Sequence, residues 1–226
     1  MPLIATKGAR EGMKLSRYWR LVASVFKERF DQNSLDNVAS IARFVRTRSA
    51  YIAQTSLYGY LKTRMGTSFR RHFEDEAFSR VIRTSAVRLF VACLSDLTIF
   101  AVATVARDSD IGAEDCAALA RHCFKDAMSE GIGEEDWGSV PQDAWQHFDE
   151  RVAATIWPNA AVGEAAFAGS VDAIIRLAPV IEEFKALDEQ IVRNSIRFRW
   201  RDVRERLRKR IDGPAVVRDW RRLAAE

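Results

Sequence analysis

Residues 89–106, LFVACLSDLTIFAVATVA, decide the fold of this chain, because they form its longest apolar run. Four polar residues interrupt the run: Ser95, Asp96, Thr98 and Thr104. A helix that is apolar on every side is either the central helix of a bundle or a membrane span. A span needs roughly 20 apolar residues, and an Asp at its centre costs about 2.5–3.5 kcal/mol. We therefore favour a buried core helix, with membrane insertion as the alternative.

The sequence before this run predicts an unusually long helix over residues 34–65. One apolar row has heptad-like spacing: Val38, Ile41, Val45, Arg48, Ile52 and Thr55. A second row repeats every seven residues: Phe44, Tyr51, Tyr58 and Met65. Asn33 is the expected N-cap, with Asp36 as a weak capping-box partner, and Gly66 suits the position after the last turn. Because the connection to the apolar helix is short, the two helices should pack as an antiparallel hairpin.

Further helices are predicted before and after this hairpin in the sequence. They cover residues 16–30, 113–129, 141–156, 164–177 and a long stretch over 179–211, with a short helix at the C-terminus. No segment alternates apolar and polar residues for long enough to predict a strand. The sequence therefore predicts an all-α fold, an elongated helix bundle built on a long antiparallel helical hairpin. We expect one domain, residues 15–226, preceded by a flexible basic tail, residues 1–14.

Charge is unevenly distributed along the chain, although the net charge is only +4. Residues 107–150 hold 3 Lys/Arg and 12 Asp/Glu, whereas the segments on either side are basic. An acidic middle can pair with basic ends inside one fold, or it can present a separate surface to a partner. Three cysteines predict reduced thiols rather than a disulfide framework. Since the N-terminus also lacks the apolar core of a signal peptide, we expect a cytoplasmic protein.

No motif in the sequence identifies a hydrolase, a kinase or a nucleotide-binding protein. The best candidate metal ligands are Cys116, His122 and Cys123, with Asp143 and His147 outside them, but the usual C-x-x-C pairing is absent. Asp143 and His147 are also spaced for acid–base chemistry on one helix face. We favour buried cysteines and a solvated helix edge over both readings. No metal or cofactor is therefore expected, and an all-α enzyme with a site near His122 and His147 is an alternative.

The strongest departure from average composition is residues 193–210, RNSIRFRWRDVRERLRKR, with eight Arg and one Lys. On a helical wheel four arginines flank one side of an apolar stripe: Arg197, Arg201, Arg204 and Arg208. Their stems can cover the edge of the core while their heads pair with the acidic middle. The same geometry also suits an anionic membrane surface, or a row of phosphates. We expect part of this row to stay exposed and to bind a partner.

A second apolar row lies on nearly the opposite side of the same long stretch. It consists of Val180, Phe184, Leu187, Ile191 and Phe198. The change of side falls near Asn194 and Ser195, which are poor residues for a helix interior and good caps. The sequence therefore predicts either a break at this point or two successive packing partners.

Asp96, inside the apolar run, needs a partner if the run is buried. A hairpin that turns near residue 70 places Asp96 opposite residue 45, within a turn. Arg48 lies on the apolar row of the preceding helix at this level, and an unpaired buried carboxylate would be costly. We predict a buried ion pair between Arg48 and Asp96, with Arg46 or Arg43 as the fallback.

Taken together, these features favour a non-enzymatic cytoplasmic helical adaptor or assembly protein. Its partner-binding residues would be Arg197, Arg201, Arg204 and Arg208. The first alternative is a nucleic-acid-binding protein that uses the same basic helix, and the second is the all-α enzyme. A protein partner is expected, and nucleic acid, a peripheral membrane contact and a homo-oligomer are left open. The sequence does not identify the partner or a substrate.

Overall fold

The computed structural model describes residues 33–69 and 75–225, and all regular elements within these ranges are helical. Eight α-helices follow in order: α1 (Val38–Met65), α2 (Glu76–Arg107), α3 (Ala113–Gly131), α4 (Ala144–Ala154), α5 (Trp157–Ala160), α6 (Ala168–Leu177), α7 (Glu182–Arg210) and α8 (Gly213–Leu223). Short 3₁₀ segments cover Gly66–Ser68, Glu134–Ser139 and Ala165–Phe167. The all-α prediction is therefore confirmed. The predicted tail 1–14 and helix 16–30 lie outside the described residues.

The apolar run forms the C-terminal half of α2, which lies at the centre of the bundle. Asp75 caps the helix, because its Oδ1 accepts hydrogen bonds from the backbone N–H of Ala77 at 2.8 Å and of Phe78 at 3.2 Å. Helices α1, α3, α5, α6 and α8 all pack on α2. Among the described residues, α2 is the one helix long and apolar enough to span a membrane, and most of its apolar window is buried by other helices. That burial is what the core-helix interpretation predicts.

The N-terminus of α1 differs from its prediction by four residues. Asn37, and not Asn33, is the N-cap: its Oδ1 accepts from Ser40 N at 2.8 Å, and Ser40 Oγ accepts from Asn37 N at 3.3 Å. Leu35 cannot join the helix because its backbone pairs with the end of α7: Leu35 N donates to Arg210 O at 2.9 Å, and Asp212 N donates to Leu35 O at 3.0 Å. This bridge fixes the entry to α1.

The predicted heptad row of α1 is largely buried, and α1 packs along α2. Gly66 follows the last turn with a φ of 54°, the left-handed region that favours glycine. The antiparallel sense of the α1–α2 pair and the elongated shape stay predictions. The described helices belong to one compact unit, Ser34–Glu226.

The helices α4, α6 and α7 are each somewhat shorter than their predictions. The predicted helix over 141–156 is shortened to α4, the single turn α5 follows where that helix was expected to end, and the predicted helix over 164–177 begins as a 3₁₀ turn. Nevertheless, α7 continues through Asn194 and Ser195 without a break. Its helical hydrogen bonds are kept because its buried row continues on both sides of this point. Asp212 then caps α8, with Oδ1 accepting from Ala215 N at 3.0 Å.

The predicted ion pair between Asp96 and Arg48 is wrong in its partner. Asp96 is buried as expected, but its Oδ1 accepts a hydrogen bond from Arg151 Nη1, on α4. The prediction considered only the register between α1 and α2, whereas α2 is surrounded on all sides. Arg48 is buried elsewhere, with its guanidinium carbon 5.6 Å from the centre of the Phe44 ring.

A buried polar network extends from Asp96 to α6 and α7. Asp96 Oδ2 accepts from the backbone N–H of Ser170, in the first turn of α6, at 2.7 Å, and Ser170 Oγ accepts from Trp200 Nε1 at 2.9 Å. Burial raises the pKa of Asp96, and the charge of Arg151 and the hydrogen bonds from Ser170 and Arg151 oppose that rise. Gly169 allows this approach, because a Cβ there would lie 2.8 Å from Asp96 Oδ1. The network therefore joins α2, α4, α6 and α7.

Candidate functional site

The predicted arginine row lies on α7, where the buried side chains determine which residues face outwards. Val192, Ile196, Trp200, Val203 and Leu207 are buried against the bundle. At the N-terminal end of the row, Arg197 and Arg201 are exposed. The Arg201 guanidinium lies 4.9 Å from the centre of the Phe198 ring, and Arg197 Nη1 lies 3.4 Å from Asn194 Oδ1. Both guanidinium groups are accessible to a partner.

The other two arginines of the row hold an internal loop. Arg204 is buried, and it donates hydrogen bonds to Gly163 O and, at 2.9 Å, to Glu164 Oε1. Arg208 donates from Nη2 to Ala161 O at 2.9 Å. Burial lowers the pKa of Arg208, and the nearby charges of Arg107 and Arg204 act in the same direction. The structure thus divides the predicted row into an exposed half, Arg197 and Arg201, and a half that fastens residues 161–164, in which Arg204 is buried and Arg208 keeps an exposed surface.

The acidic middle of the chain is not the partner of this row within the described residues. None of the four arginines pairs there with a carboxylate of residues 107–150. Carboxylates of that region instead pair with arginines of other helices, in the pairs Arg46–Glu130, Arg83–Asp136 and Arg121–Asp149. The interpretation of the row as a cover for the core edge holds for Arg204 and Arg208, but their partners are loop groups.

The earlier apolar row of α7 faces away from the bundle. Its four members on the helix are exposed: Phe184, Leu187, Ile191 and Phe198. Leu187 and Ile191 expose 74% and 72% of their surface. Because the row lies opposite the buried row of a continuous helix, it projects from the described part of the chain. We call this surface, with Arg197 and Arg201 on its edge, the outer face of α7.

Charge changes sign along α7. The N-terminal half of α7 carries Glu182, Glu183, Asp188 and Glu189, and the next two turns carry Arg193, Arg197, Arg199 and Arg201. Some of these charges are used internally, because Asp188 pairs with Arg64 and Arg193 pairs with Asp172 and Glu189. The hydrogen bond from Arg64 is the main cause that lowers the pKa of Asp188.

The surface grooves of the described part of the molecule include two with charged side chains in their walls. One, of about 280 Å³, lies beside the outer face of α7 and has Arg197, Glu164, Asp172 and Phe167 in its wall. The other, of about 350 Å³, has three arginines in its wall, Arg80, Arg88 and Arg176. In neither groove do a nucleophile, a base and an orienting group converge, as catalysis by side chains requires.

The residues of the alternative metal and acid–base sites lie apart from these grooves. Cys116 and Cys123 are buried in the core, and burial raises the pKa of their thiols to about 11 and about 12. The His122 ring packs edge-on to Trp220 at 5.7 Å between ring centres. His147 Nε2 lies 3.3 Å from Asp143 Oδ2 on an exposed helix face. No group of three or more His, Cys, Asp or Glu that could hold a metal ion occurs among the described residues.

Sequence reasoning identified the apolar row of α7 but could not tell that it is exposed. It missed Arg151 because only the register between α1 and α2 was considered. It missed residues 161–164 because backbone carbonyl groups leave no signal in a sequence. Comparison with protein-family models, with curated proteins and with solved structures found no match.

Proposed function

We propose that this chain is a non-enzymatic helical adaptor that binds a protein partner through the outer face of α7. The observation that supports it most is the exposed row of Phe184, Leu187, Ile191 and Phe198 beside two exposed arginines. Aromatic residues and Arg are enriched in protein interfaces, and contiguous exposed apolar patches on a soluble fold mark interaction sites. Such a face binds by burying its apolar row while the arginines contact carboxylates at its rim.

The division of the arginine row narrows the proposed binding residues. Arg204 and Arg208 are already engaged with residues 161–164, so Arg197 and Arg201 are the two that we assign to the partner. Both lie within one turn of Phe198, so a single partner surface can contact the ring and both guanidinium groups. A location in the cytoplasm belongs to the same proposal, and the three free thiols are in keeping with it.

Binding of nucleic acid through the same helix is the less favoured alternative. A protein that tracks phosphates needs several accessible cations in a row, and affinity then falls steeply with salt. Here Arg204 is buried and Arg208, although exposed, is hydrogen-bonded to Ala161 O, and a large apolar row lies beside the other two arginines. We therefore favour a protein partner, with salt dependence as the discriminating observation.

The experiment compares two charge-reversed forms of the full chain. Arg197→Glu/Arg201→Glu removes the exposed half of the row, and Arg43→Glu/Arg80→Glu makes the same change of charge at two exposed arginines of α1 and α2. Each form is immobilised, and proteins captured from a lysate of the source cells are compared with those captured by the wild type. Circular dichroism melting checks that both variants fold.

We expect the α7 variant to lose a specific partner that the control retains. Retention of every captured protein by the α7 variant would show that the binding surface lies elsewhere. Loss of the same proteins from both variants would show that binding depends on the net charge of the chain and not on the outer face of α7. Binding of a labelled oligonucleotide that weakens steeply with salt and disappears in the α7 variant would favour the nucleic-acid alternative.

A further inference from the structure

We propose that the partner on the outer face of α7 is a second copy of this chain, packed antiparallel along α7 with a two-fold axis at Ile191. This inference rests on the proposed function, because both use the same face. Antiparallel self-pairing is an isologous contact, in which one surface patch serves both subunits. The evidence is a symmetry of α7 about Ile191 in both its apolar residues and its charges.

The exposed apolar residues of α7 are arranged symmetrically about Ile191. Phe184 lies seven residues before Ile191 and Phe198 lies seven residues after it, so the three occupy equivalent positions of successive heptads. In an antiparallel pair centred at Ile191, Phe184 of one copy faces Phe198 of the other, and Ile191 faces itself. Leu187 then faces Ser195, whose small side chain leaves room for it. Each large side chain of the row therefore meets a partner it can pack against.

The charges of α7 favour the antiparallel sense over the parallel one. A parallel pair would place the acidic half of one helix on the acidic half of the other, and the arginines on arginines. An antiparallel pair places the acidic half of each helix beside the arginine-rich half of the other. Like charges directly across an interface are destabilising, and complementary ones fix the register.

Glu183 and Arg197 form the most specific of these charge pairs. On a helical wheel they lie on the same edge of the apolar row, and a two-fold axis through Ile191 brings that edge of one helix against the same edge of the other. Neither side chain forms an ion pair within the described residues, whereas Asp188 and Arg193 already do. Glu183 of each copy is therefore placed to contact Arg197 of the other, with Arg201 one turn further along.

The size of the contact predicts a reversible dimer. The exposed row and its edges occupy residues 181–201, which is about 30 Å of helix at 1.5 Å per residue. A single pair of helices of this length lies at the low end of interface areas, where complexes are weak and transient. Leu187, Ile191 and Phe198 project opposite the buried side of α7, whereas Phe184 is partly covered by Arg64, whose guanidinium carbon lies 4.8 Å from its ring centre. Two copies can therefore approach at the first three residues without moving the bundle. Dimerisation should therefore be measured over a range of protein concentrations.

Cysteine cross-linking tests the position of the two-fold axis. The natural cysteines, Cys93, Cys116 and Cys123, are buried, so a thiol introduced on α7 is the accessible one. In full-length Ile191→Cys, the two introduced thiols meet at the axis and should oxidise to a covalent dimer. In Phe198→Cys, the two thiols are separated by about 21 Å along the helix pair, which is too far for a disulfide.

We expect a dimer band for Ile191→Cys and none for Phe198→Cys under the same mild oxidation. Equal cross-linking of both variants would indicate a parallel pair and would overturn the proposed register. No cross-linking of either, at concentrations where the wild type sediments as a dimer, would move the interface away from α7.

Analytical ultracentrifugation of three further variants tests the energetics. Ile191→Asp should weaken the dimer by about tenfold or more, the effect typical of a central interface residue. Glu183→Arg should weaken it less, and the exchange Glu183→Arg/Arg197→Glu should restore it. The matched control is Ile156→Asp, since Ile156 is 65% exposed and lies outside α7. Equal weakening by the control, or no restoration by the exchange, contradicts the arrangement.

The proposed dimer and the proposed adaptor function can be refuted separately. If the wild type stays monomeric at every concentration while Arg197→Glu/Arg201→Glu loses a captured protein, the second copy is excluded and the adaptor function stands. If Ile191→Asp and Ile191→Cys behave as expected but the captured proteins do not change, the dimer stands and a further partner on this face is excluded.

Discussion

Asp96 and Arg151 form an ion pair at the centre of the bundle, and the two side chains are unequally buried. Asp96 has none of its side chain exposed, whereas Arg151 exposes 27% of its side chain. Arg151 also donates hydrogen bonds to Ser95 Oγ at 3.0 Å and to Ala166 O. Loss of the arginine therefore leaves a fully buried carboxylate, whereas loss of the carboxylate leaves an arginine that still has partners and access to water.

This asymmetry predicts that Arg151→Met destabilises the protein more than Asp96→Asn. Removing one partner of a buried pair typically costs about 3–5 kcal/mol, and a lost hydrogen bond to a charged group costs about 1.5–3 kcal/mol. Urea unfolding of both variants measures the difference. Arg121→Met is the control, because the Arg121–Asp149 pair is exposed and should contribute less than about 1 kcal/mol. A larger loss for Asp96→Asn than for Arg151→Met would contradict the prediction.

The cost of Arg151→Met should depend on pH. Burial already raises the pKa of Asp96 in the folded protein, and the charge of Arg151 opposes that rise, so the variant raises the pKa further. A carboxyl group whose folded pKa lies above its unfolded pKa stabilises the fold below the unfolded pKa, and that stability is lost as pH rises through the folded pKa. The difference in unfolding free energy between wild type and Arg151→Met should therefore be largest near neutral pH and shrink as pH falls towards 4.

A double variant provides the control for this titration. Asp96→Asn/Arg151→Met has no carboxyl group at position 96, so its stability relative to Asp96→Asn should change little over the same pH range. A pH-independent gap between wild type and Arg151→Met would show that the ionisation of Asp96 does not account for the cost.

The partner of Asp96 also shows how far the sequence could predict the core. An apolar run with no polar side predicts burial on all sides, and the structure confirms it. The same all-round burial is the reason the partner could not be predicted, because a helix with neighbours on every side has several candidate arginines. The prediction from the register of α1 and α2 took only one of those neighbours into account, whereas Arg151 comes from α4.

On α7, periodicity identified which side chains share a face but not which face is covered. The rows through Phe184 and through Trp200 have similar hydrophobicity, and only the packing distinguishes them. Likewise, the four arginines of the row look equivalent on a helical wheel. Arg204 and Arg208 differ from the others because residues 161–164 lie against their end of α7, and that contact depends on the tertiary fold.

Gly169 should tolerate alanine poorly, because its Cβ would overlap Asp96 Oδ1 and lie 3.5 Å from Arg151 Nη1. Forcing an extra carbon into a packed core costs about 1–3 kcal/mol. Gly59→Ala is the matched comparison, since Gly59 lies within α1 and the nearest atom to its Cβ would be Arg199 Nη2 at 3.9 Å. That change should stabilise the protein by about 0.5–1 kcal/mol. Thermal unfolding measures both effects, and a shift of Tm in the same direction for both variants would contradict this account.

Truncating an arginine in one half of the row should affect the stability of the protein differently from truncating one in the other half. Arg204→Ala removes the hydrogen bonds to Gly163 O and Glu164 and the contact with the Phe167 ring, whose centre lies 5.7 Å from the guanidinium carbon. We expect a loss of about 1–3 kcal/mol. Arg201→Ala removes an exposed side chain and should change stability by no more than about 0.5 kcal/mol.

Hydrogen exchange locates the effect of Arg204→Ala on the structure. Since Arg204 fastens residues 161–164 to α7, amides in this loop and in the 3₁₀ turn Ala165–Phe167 should exchange faster in Arg204→Ala, whereas those of α2 should keep their protection at neutral pH. In Arg201→Ala the loop should exchange as in the wild type. If Arg201→Ala loosened the loop as much as Arg204→Ala, Arg201 would belong to the internal half of the row, and the surface assigned to the partner would reduce to Arg197 and the apolar row.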